Sequence, residues 1–109
     1  MSAWKRWERD CAAFFGTARF PANTGGKVDF ESPTVVGQCK LVHTMSVNTL
    51  SKLAEEMAAL AAPSQIGIVC LKVRRGRGRI SAPLVVMTFA QAERAGLNKG
   101  TMPILCKVV

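Results

Sequence analysis

Apolar residues recur at intervals of three and four in two segments of the chain, which is the pattern of amphipathic helices. The first segment opens the chain and ends near Gly16, a typical C-terminal stop. The second begins at a candidate N-cap, Ser46, and ends at Pro63. A third, shorter helix is predicted for residues 90–96, which end in a glycine. The apolar positions of the first two helices are Trp4, Trp7, Cys11, Phe14, Phe15, Leu50, Leu53, Met57 and Leu60.

Four shorter segments are rich in β-branched and apolar residues, as strands are. They cover residues 28–30, 34–41, Ile66–Val73 and 84–88. Ile66–Val73 is almost continuously apolar, so we expect it inside a sheet with both faces covered. The second helix separates this strand from the strand that ends near Lys40, which predicts a parallel pair joined by a right-handed crossover. The sequence therefore predicts a mixed α/β layer fold.

Length and charge narrow the function classes. With 109 residues the chain has the length of one domain, so we expect residues 1–109 to form a single core. Fifteen Lys and Arg residues against seven Asp and Glu give a net charge of +8, which favours a polyanionic partner, nucleic acid first. A basic surface that serves only solubility is the alternative, and the positions of the charges must decide between them.

The cysteines, the N-terminal residues and the length of the apolar runs indicate where in the cell the protein is located. Four cysteines, Cys11, Cys39, Cys70 and Cys106, are far apart and form no C-x-x-C pair, so we expect reduced, mostly buried thiols. The N-terminal residues mix tryptophan with charged residues and do not resemble a secretory signal. The apolar runs are too short to cross a bilayer. We therefore expect a cytoplasmic protein with no membrane partner.

One set of polar residues could carry chemistry. Asp29 lies in one predicted strand, residues 28–30, and the next strand carries Gln38-Cys39-Lys40, where a period of two puts Gln38 and Lys40 on one face. A lysine among apolar strand residues is costly unless an anion meets it, and the Asp29 carboxylate or a metal-bound phosphate would do so. An acid and a lysine exposed at strand ends are the simpler alternative. His43, the only histidine, is expected to be a surface or structural residue.

These residues resemble the PD-(D/E)XK nuclease superfamily, particularly its small Holliday-junction resolvase-like enzymes of archaea and phages. In that family an acid ends one strand, an acid-x-lysine triplet lies on the next, and a helix crosses to a further strand. Asp29 matches the first acid, Gln38 the second and Lys40 the lysine, while Glu8 matches a glutamate of the opening helix. The chain departs from the motif at Val28, where the family has proline, and at Gln38, which carries no charge.

The resemblance implies a restriction-endonuclease-like core, a mixed central sheet flanked by helices in the order α-β-β-β-α-β-β-α. It also implies a homodimeric Mg²⁺-dependent DNA endonuclease, with Mn²⁺ as a substitute, that cuts branched DNA or Holliday junctions during recombination. Glu8, Asp29, the Gln38 side-chain oxygen and the Cys39 carbonyl would hold the metal. Lys40 would orient the attacking water and stabilise charge on the phosphate. An inactive DNA-binding descendant and an RNA-binding basic protein are the alternatives.

A basic segment follows the buried strand. Its cations alternate with glycines, which allow it to bend along a phosphate backbone. It has no recognisable base-reading pattern, so we expect contacts to the backbone. A solvated hairpin tip is the alternative. The residues expected to contact nucleic acid are Lys27, Lys72, Arg74, Arg75, Arg77 and Arg79.

Overall fold

A computed structural model describes residues 2–18, 27–76, 79 and 81–100. The helices are α1 (Ala3–Phe14), α2 (Val47–Leu60) and α3 (Phe89–Arg94), the last followed by a 3-10 turn, Leu97–Lys99. The strands are β1 (Phe30–Glu31), β2 (Val35–Val42), β3 (Ile66–Val73) and β4 (Leu84–Val86). Within the described ranges, no helix has both the length and the apolar character needed to span a membrane.

The four strands form one mixed sheet in the order β1-β2-β3-β4. The central pair, β2 and β3, is parallel and pairs Cys39 with Cys70, while β1 and β4 run antiparallel on the two edges. This confirms the mixed α/β class and the parallel step across α2. Two strands, not the three that the resemblance implies, lie between α1 and α2 in the described residues, and residues 19–26 are outside them.

Each face of the sheet has its own core. On one face the buried residues of α1 pack against the odd-numbered side chains of β2 and the even-numbered ones of β3. These residues are Trp7, Cys11, Ala12, Phe30, Cys39, Ile68 and Cys70. On the other face Val36 and Val69 pack against Met57 of α2. Because strand side chains alternate, Gln38 and Lys40 lie on the α2 face with Val36.

Local sequence explains where the elements begin and end. The Ser46 side chain accepts a hydrogen bond from the Thr49 N–H at 3.1 Å, which confirms the predicted N-cap of α2. Gly16 adopts a φ of +75° just beyond α1, a conformation that favours glycine at a helix end. Helix α3 begins one residue earlier than predicted because the Thr88 hydroxyl caps it, accepting from the Gln91 N–H at 3.3 Å.

Candidate active site

Asp29 lies immediately before β1, at the open edge of β2. Its N–H donates to the Gly37 carbonyl at 2.9 Å, and its Oδ2 accepts a hydrogen bond from the Cys39 N–H at 2.8 Å. The Cys39 nitrogen belongs to the peptide that joins it to Gln38. The structure thus brings the predicted first acid against the backbone of the Gln38-Cys39-Lys40 triplet.

The carbonyl of Cys39 faces the same edge. Residues two apart in a strand turn their N–H and C=O groups to the same side. Gly37 accepts from Asp29 on the β1 side, and the Cys39 N–H meets the Asp29 carboxylate there too. The Cys39 carbonyl oxygen therefore points towards the edge that Asp29 occupies. Both oxygens must face this side if they are to bind the same metal ion.

Gln38 carries an unusual polar atom. Its side chain is only 8% exposed, and its Oε1 atom has no hydrogen-bond partner in the part of the chain that the structure describes. A buried carbonyl oxygen without a partner costs about 1–3 kcal/mol. Such an atom is available to a ligand that donates or that bears positive charge. The residue type and its face of the strand were predicted from the sequence, whereas the lack of a hydrogen-bond partner among the described residues was not.

Lys40 is half-buried on the α2 face, next to Gln38. Its ammonium is in no ion pair with any described residue, so among those residues it is free to meet an anion. Its backbone carbonyl accepts a hydrogen bond from Trp7 Nε1 at 3.1 Å, which ties this end of β2 to α1. The lysine is thus held in place through its backbone while its side chain is not engaged by an acid within the described ranges.

Glu8 lies in the opposite layer from Gln38 and Lys40. It is 9% exposed and shares a helical stripe with Ala12 and Phe15, and the Phe15 ring stacks on Phe30 of β1 at 5.6 Å between centroids. This stripe therefore faces the β1 edge. Trp7, the preceding residue, reaches Lys40, so Glu8 lies at the level of the triplet. The sheet separates Glu8 from Gln38 and Lys40, and Asp29 is at the edge between them.

The donors at this edge suit a hard cation. The Asp29 carboxylate, Gln38 Oε1 and the Cys39 carbonyl are oxygen donors, which Mg²⁺ and Mn²⁺ prefer. Among the described residues no group of three or more His, Cys, Asp or Glu side chains could hold a metal ion. The only side-chain carboxylate among these three donors is that of Asp29; the other two are an amide oxygen and a backbone carbonyl.

The side chain of Cys39 is a structural thiol in the core. It packs with Cys11 and Cys70, and all three are buried and free of disulfides, as expected from the sequence. Hydrogen bonding to Cys11 and Cys70, together with burial, raises the pKa of the Cys39 thiol. The side chain of Cys39 is thus a neutral core group, and only its backbone faces the candidate site. The fourth cysteine, Cys106, lies outside the described residues.

The cations cluster in a groove of about 650 Å³ on the α1 face. It lies between the first turns of α1 and the ends of β2 and β3. Four of the six predicted nucleic-acid contacts line it: Lys72, Arg74, Arg75 and Arg79. Arg77 lies outside the described residues, and Lys27 is elsewhere, paired with Glu56 at 3.0 Å. We call this surface the basic groove.

Two further lining residues were not predicted from the sequence. Arg6 comes from α1 and His43 from just beyond β2. Arg6 could have been found from its helical phase, because it precedes the inward-facing Trp7 and shares the stripe of Ala3 and Asp10. The basic groove contains none of Glu8, Asp29, Gln38 and Lys40. The main cationic surface and the candidate catalytic edge are therefore separate places on the molecule.

No protein-family model, no curated protein and no solved structure matches this chain. Its function is therefore inferred from its own residues.

Proposed function

We propose that the protein is a Mg²⁺-dependent DNA endonuclease of the PD-(D/E)XK type. One observation carries the proposal: the Asp29 carboxylate is bonded to the backbone N–H at the centre of the Gln38-Cys39-Lys40 triplet, 2.8 Å away. This contact joins the two parts of the motif, which are nine residues apart in sequence. The contact places the carboxylate against the residue between Gln38 and Lys40, as the proposed site requires.

The order of elements supports a restriction-endonuclease-like core. Asp29 precedes an edge strand, the triplet lies on the next strand, and α2 then crosses to a parallel neighbour. Glu8 on α1 faces the same edge, as the family's helical glutamate does. The described strands agree with this order, although the resemblance expects one more strand before α2.

Each residue has a distinct role in the proposed site. Asp29, Gln38 Oε1 and the Cys39 carbonyl would hold the cation, with Glu8 approaching from the α1 side. When bound, Mg²⁺ polarises a phosphodiester and lowers the pKa of a coordinated water. Lys40 donates hydrogen bonds from its ammonium to a phosphate oxygen or to the attacking water, and so stabilises charge that develops during hydrolysis.

Gln38 sets the strength of this site. An amide oxygen coordinates a cation but brings no charge, so the site holds Mg²⁺ less tightly than one with a second carboxylate. We therefore expect activity that needs a high metal concentration. A polar oxygen that is buried without a protein partner supports a ligand role for this residue.

The resemblance supplies the finer details of the proposal. We propose a cytoplasmic homodimer that cuts branched or junction DNA in recombination, because cleavage of two strands needs two active sites and this chain offers one. Three buried free thiols agree with a reducing compartment.

The deciding experiment uses labelled four-way junction, splayed-arm DNA, plain duplex and RNA, each with Mg²⁺, Mn²⁺ or EDTA. We expect metal-dependent cutting of DNA by the wild-type protein. Asp29→Asn and Lys40→Ala should each lower the rate at least about 100-fold, a usual loss for a group that acts in the transition state. Glu55→Gln and Lys52→Ala, matched losses of one charge at exposed positions outside the basic groove, are the controls and should keep the rate.

A second candidate function is a non-catalytic DNA-binding module with the same fold. The position of the basic groove favours it, because the strongest cationic surface includes none of the proposed catalytic residues. Tight DNA binding without cutting under any metal would establish this alternative. Preference for RNA with indifference to both active-site substitutions would indicate an RNA-binding protein instead.

A further inference from the structure

The basic groove has the properties of a binding site for a linear polyanion. Among the described residues, five basic side chains and one acid, Asp10, line it. The five cations are Arg6, Lys72, Arg74, Arg75 and Arg79. Like charges gathered in one concavity repel one another, so an arrangement of this kind is stabilised when an anion lies between them.

The cations stand on facing walls. Arg6 comes from α1, whereas Arg74 and Arg75 follow the end of β3. A ligand in the groove is therefore approached from two sides. Arginine forks on opposite walls can each hold phosphate oxygens in pairs, which suits a chain with many phosphates better than a single ion.

The floor of the groove is preorganised. The Lys72 ammonium lies over the Trp7 ring, 5.5 Å from its centroid, and the Trp7 indole donates to the Lys40 carbonyl. The Arg74 N–H continues the sheet ladder by donating to the Val42 carbonyl at 2.7 Å. Lys72 and Arg74 are two residues apart along this extended segment, so their side chains leave the backbone on the same side.

The size of the groove suits one strand better than a duplex. Its volume of about 650 Å³ is in the range of pockets that enclose small-molecule ligands, which matches a short run of nucleotides from one strand. A single strand, which bends freely, can enter and contact both walls.

We propose that the basic groove binds the sugar–phosphate backbone of a single-stranded segment of DNA. The groove and the Asp29 edge lie on opposite sides of α1, since Arg6 and Asp10 face the groove while the stripe of Glu8 and Phe15 faces β1. A strand held in the groove would have to pass α1 to reach the edge. The choice of DNA rests on the proposed nuclease function, whereas the presence of a phosphate-backbone site rests on the groove alone.

Binding is measured by fluorescence anisotropy with the full chain in EDTA, so that no cleavage occurs. The probes are single-stranded DNA, duplex DNA and single-stranded RNA of one sequence and about 12 nucleotides, within the usual site size. The groove variant is Arg6→Ala with Arg74→Ala, both exposed side chains. The matched control is Arg9→Ala with Lys52→Ala, which removes the same charge from exposed positions outside the groove lining.

We expect the groove variant to bind single-stranded DNA at least about 10-fold more weakly, and the control to change by less than about 3-fold. The slope of log affinity against log salt should fall by about 1.4 in the groove variant, because each phosphate contact on a single strand contributes about 0.7. Thermal denaturation of both variants checks that they fold like the wild type.

Equal losses in the groove and control variants would overturn the proposal, as would binding of duplex or RNA about 10-fold tighter than single-stranded DNA. These outcomes do not depend on whether the protein has nuclease activity. A protein that never cuts but shows the groove effect in EDTA loses the nuclease proposal and keeps this one. A protein that cuts while groove and control variants bind alike keeps the nuclease and loses the groove.

Discussion

The Asp29 carboxylate and the Cys39 N–H are joined by a 2.8 Å hydrogen bond across the open edge of β2. A tight turn makes this contact possible. The Ser32 N–H donates to the Val35 carbonyl at 2.8 Å, and the Ser32 hydroxyl accepts from the Val35 N–H at 3.1 Å. The turn fixes the register that pairs Phe30 with Gly37, so Asp29, the next residue back, falls opposite Gln38 and its carboxylate reaches the neighbouring Cys39 N–H.

Replacing Gln38 by leucine should separate stability from activity. Leucine is close to glutamine in size and removes an oxygen that is buried without a partner among the described residues. We expect the free energy of unfolding to rise by about 1 kcal/mol or to stay unchanged, because an unmet polar group is lost. Metal-dependent cleavage should disappear. Urea denaturation without metal and the cleavage assay measure the two effects, and a clear loss of stability would show that Oε1 is already satisfied.

Replacing Gln38 by glutamate should strengthen the metal site. A second carboxylate adds the charge that an amide lacks, so half-maximal activity should be reached at about 10-fold lower Mg²⁺ concentration. Without metal, the same carboxylate would be buried close to Asp29 and should lower stability. The metal site is supported if Mg²⁺ raises the stability of the variant more than that of the wild type. No response of either protein to Mg²⁺ counts against it.

The sequence predicted those features of the site that follow from a local period. The alternation along residues 34–41 placed Gln38 and Lys40 on one face, and the β2–β3 pairing followed from the helix between them. Features that depend on distant parts of the chain could not be predicted. The approach of Glu8 to the β1 edge depends on how α1 lies on the sheet, and the basic groove is completed by Arg6, which is more than sixty residues from Arg74.

Removing the Gln91 side chain should destabilise the protein although it is far from the proposed site. Its Oε1 accepts a hydrogen bond from the Gly67 N–H at 2.9 Å, in a position where both groups are buried. Gln91→Ala leaves that N–H without a partner, which costs about 1–3 kcal/mol of unfolding free energy. Chemical denaturation measures it. Glu93→Ala, an exposed position on the same helix, is the control and should change stability by less than about 0.5 kcal/mol.

Replacing Gly67 or Gly37 by alanine should destabilise the protein, but a second substitution should relieve only one of these two losses of stability. A Cβ at Gly67 would overlap the backbone carbonyl of Met57, where α2 packs on β3. A Cβ at Gly37 would overlap the ring of Phe30, which is a side chain on the short edge strand. Each change should cost about 1–3 kcal/mol or more, because a well-packed interior has no room for an added methyl group.

Double-mutant cycles distinguish the two clashes. Adding Phe30→Ala to Gly37→Ala removes the ring that the new Cβ meets, so the double variant should be more stable than the sum of the single effects by about 1 kcal/mol or more. Adding Met57→Ala to Gly67→Ala leaves the obstructing backbone in place, and no such gain is expected. If Met57→Ala relieved Gly67→Ala as well, the obstruction at Gly67 would come from the Met57 side chain and not from its backbone. The close approach of the α2 backbone to β3 would then be wrong, and with it the packing of α2 on the sheet face that carries Gln38 and Lys40.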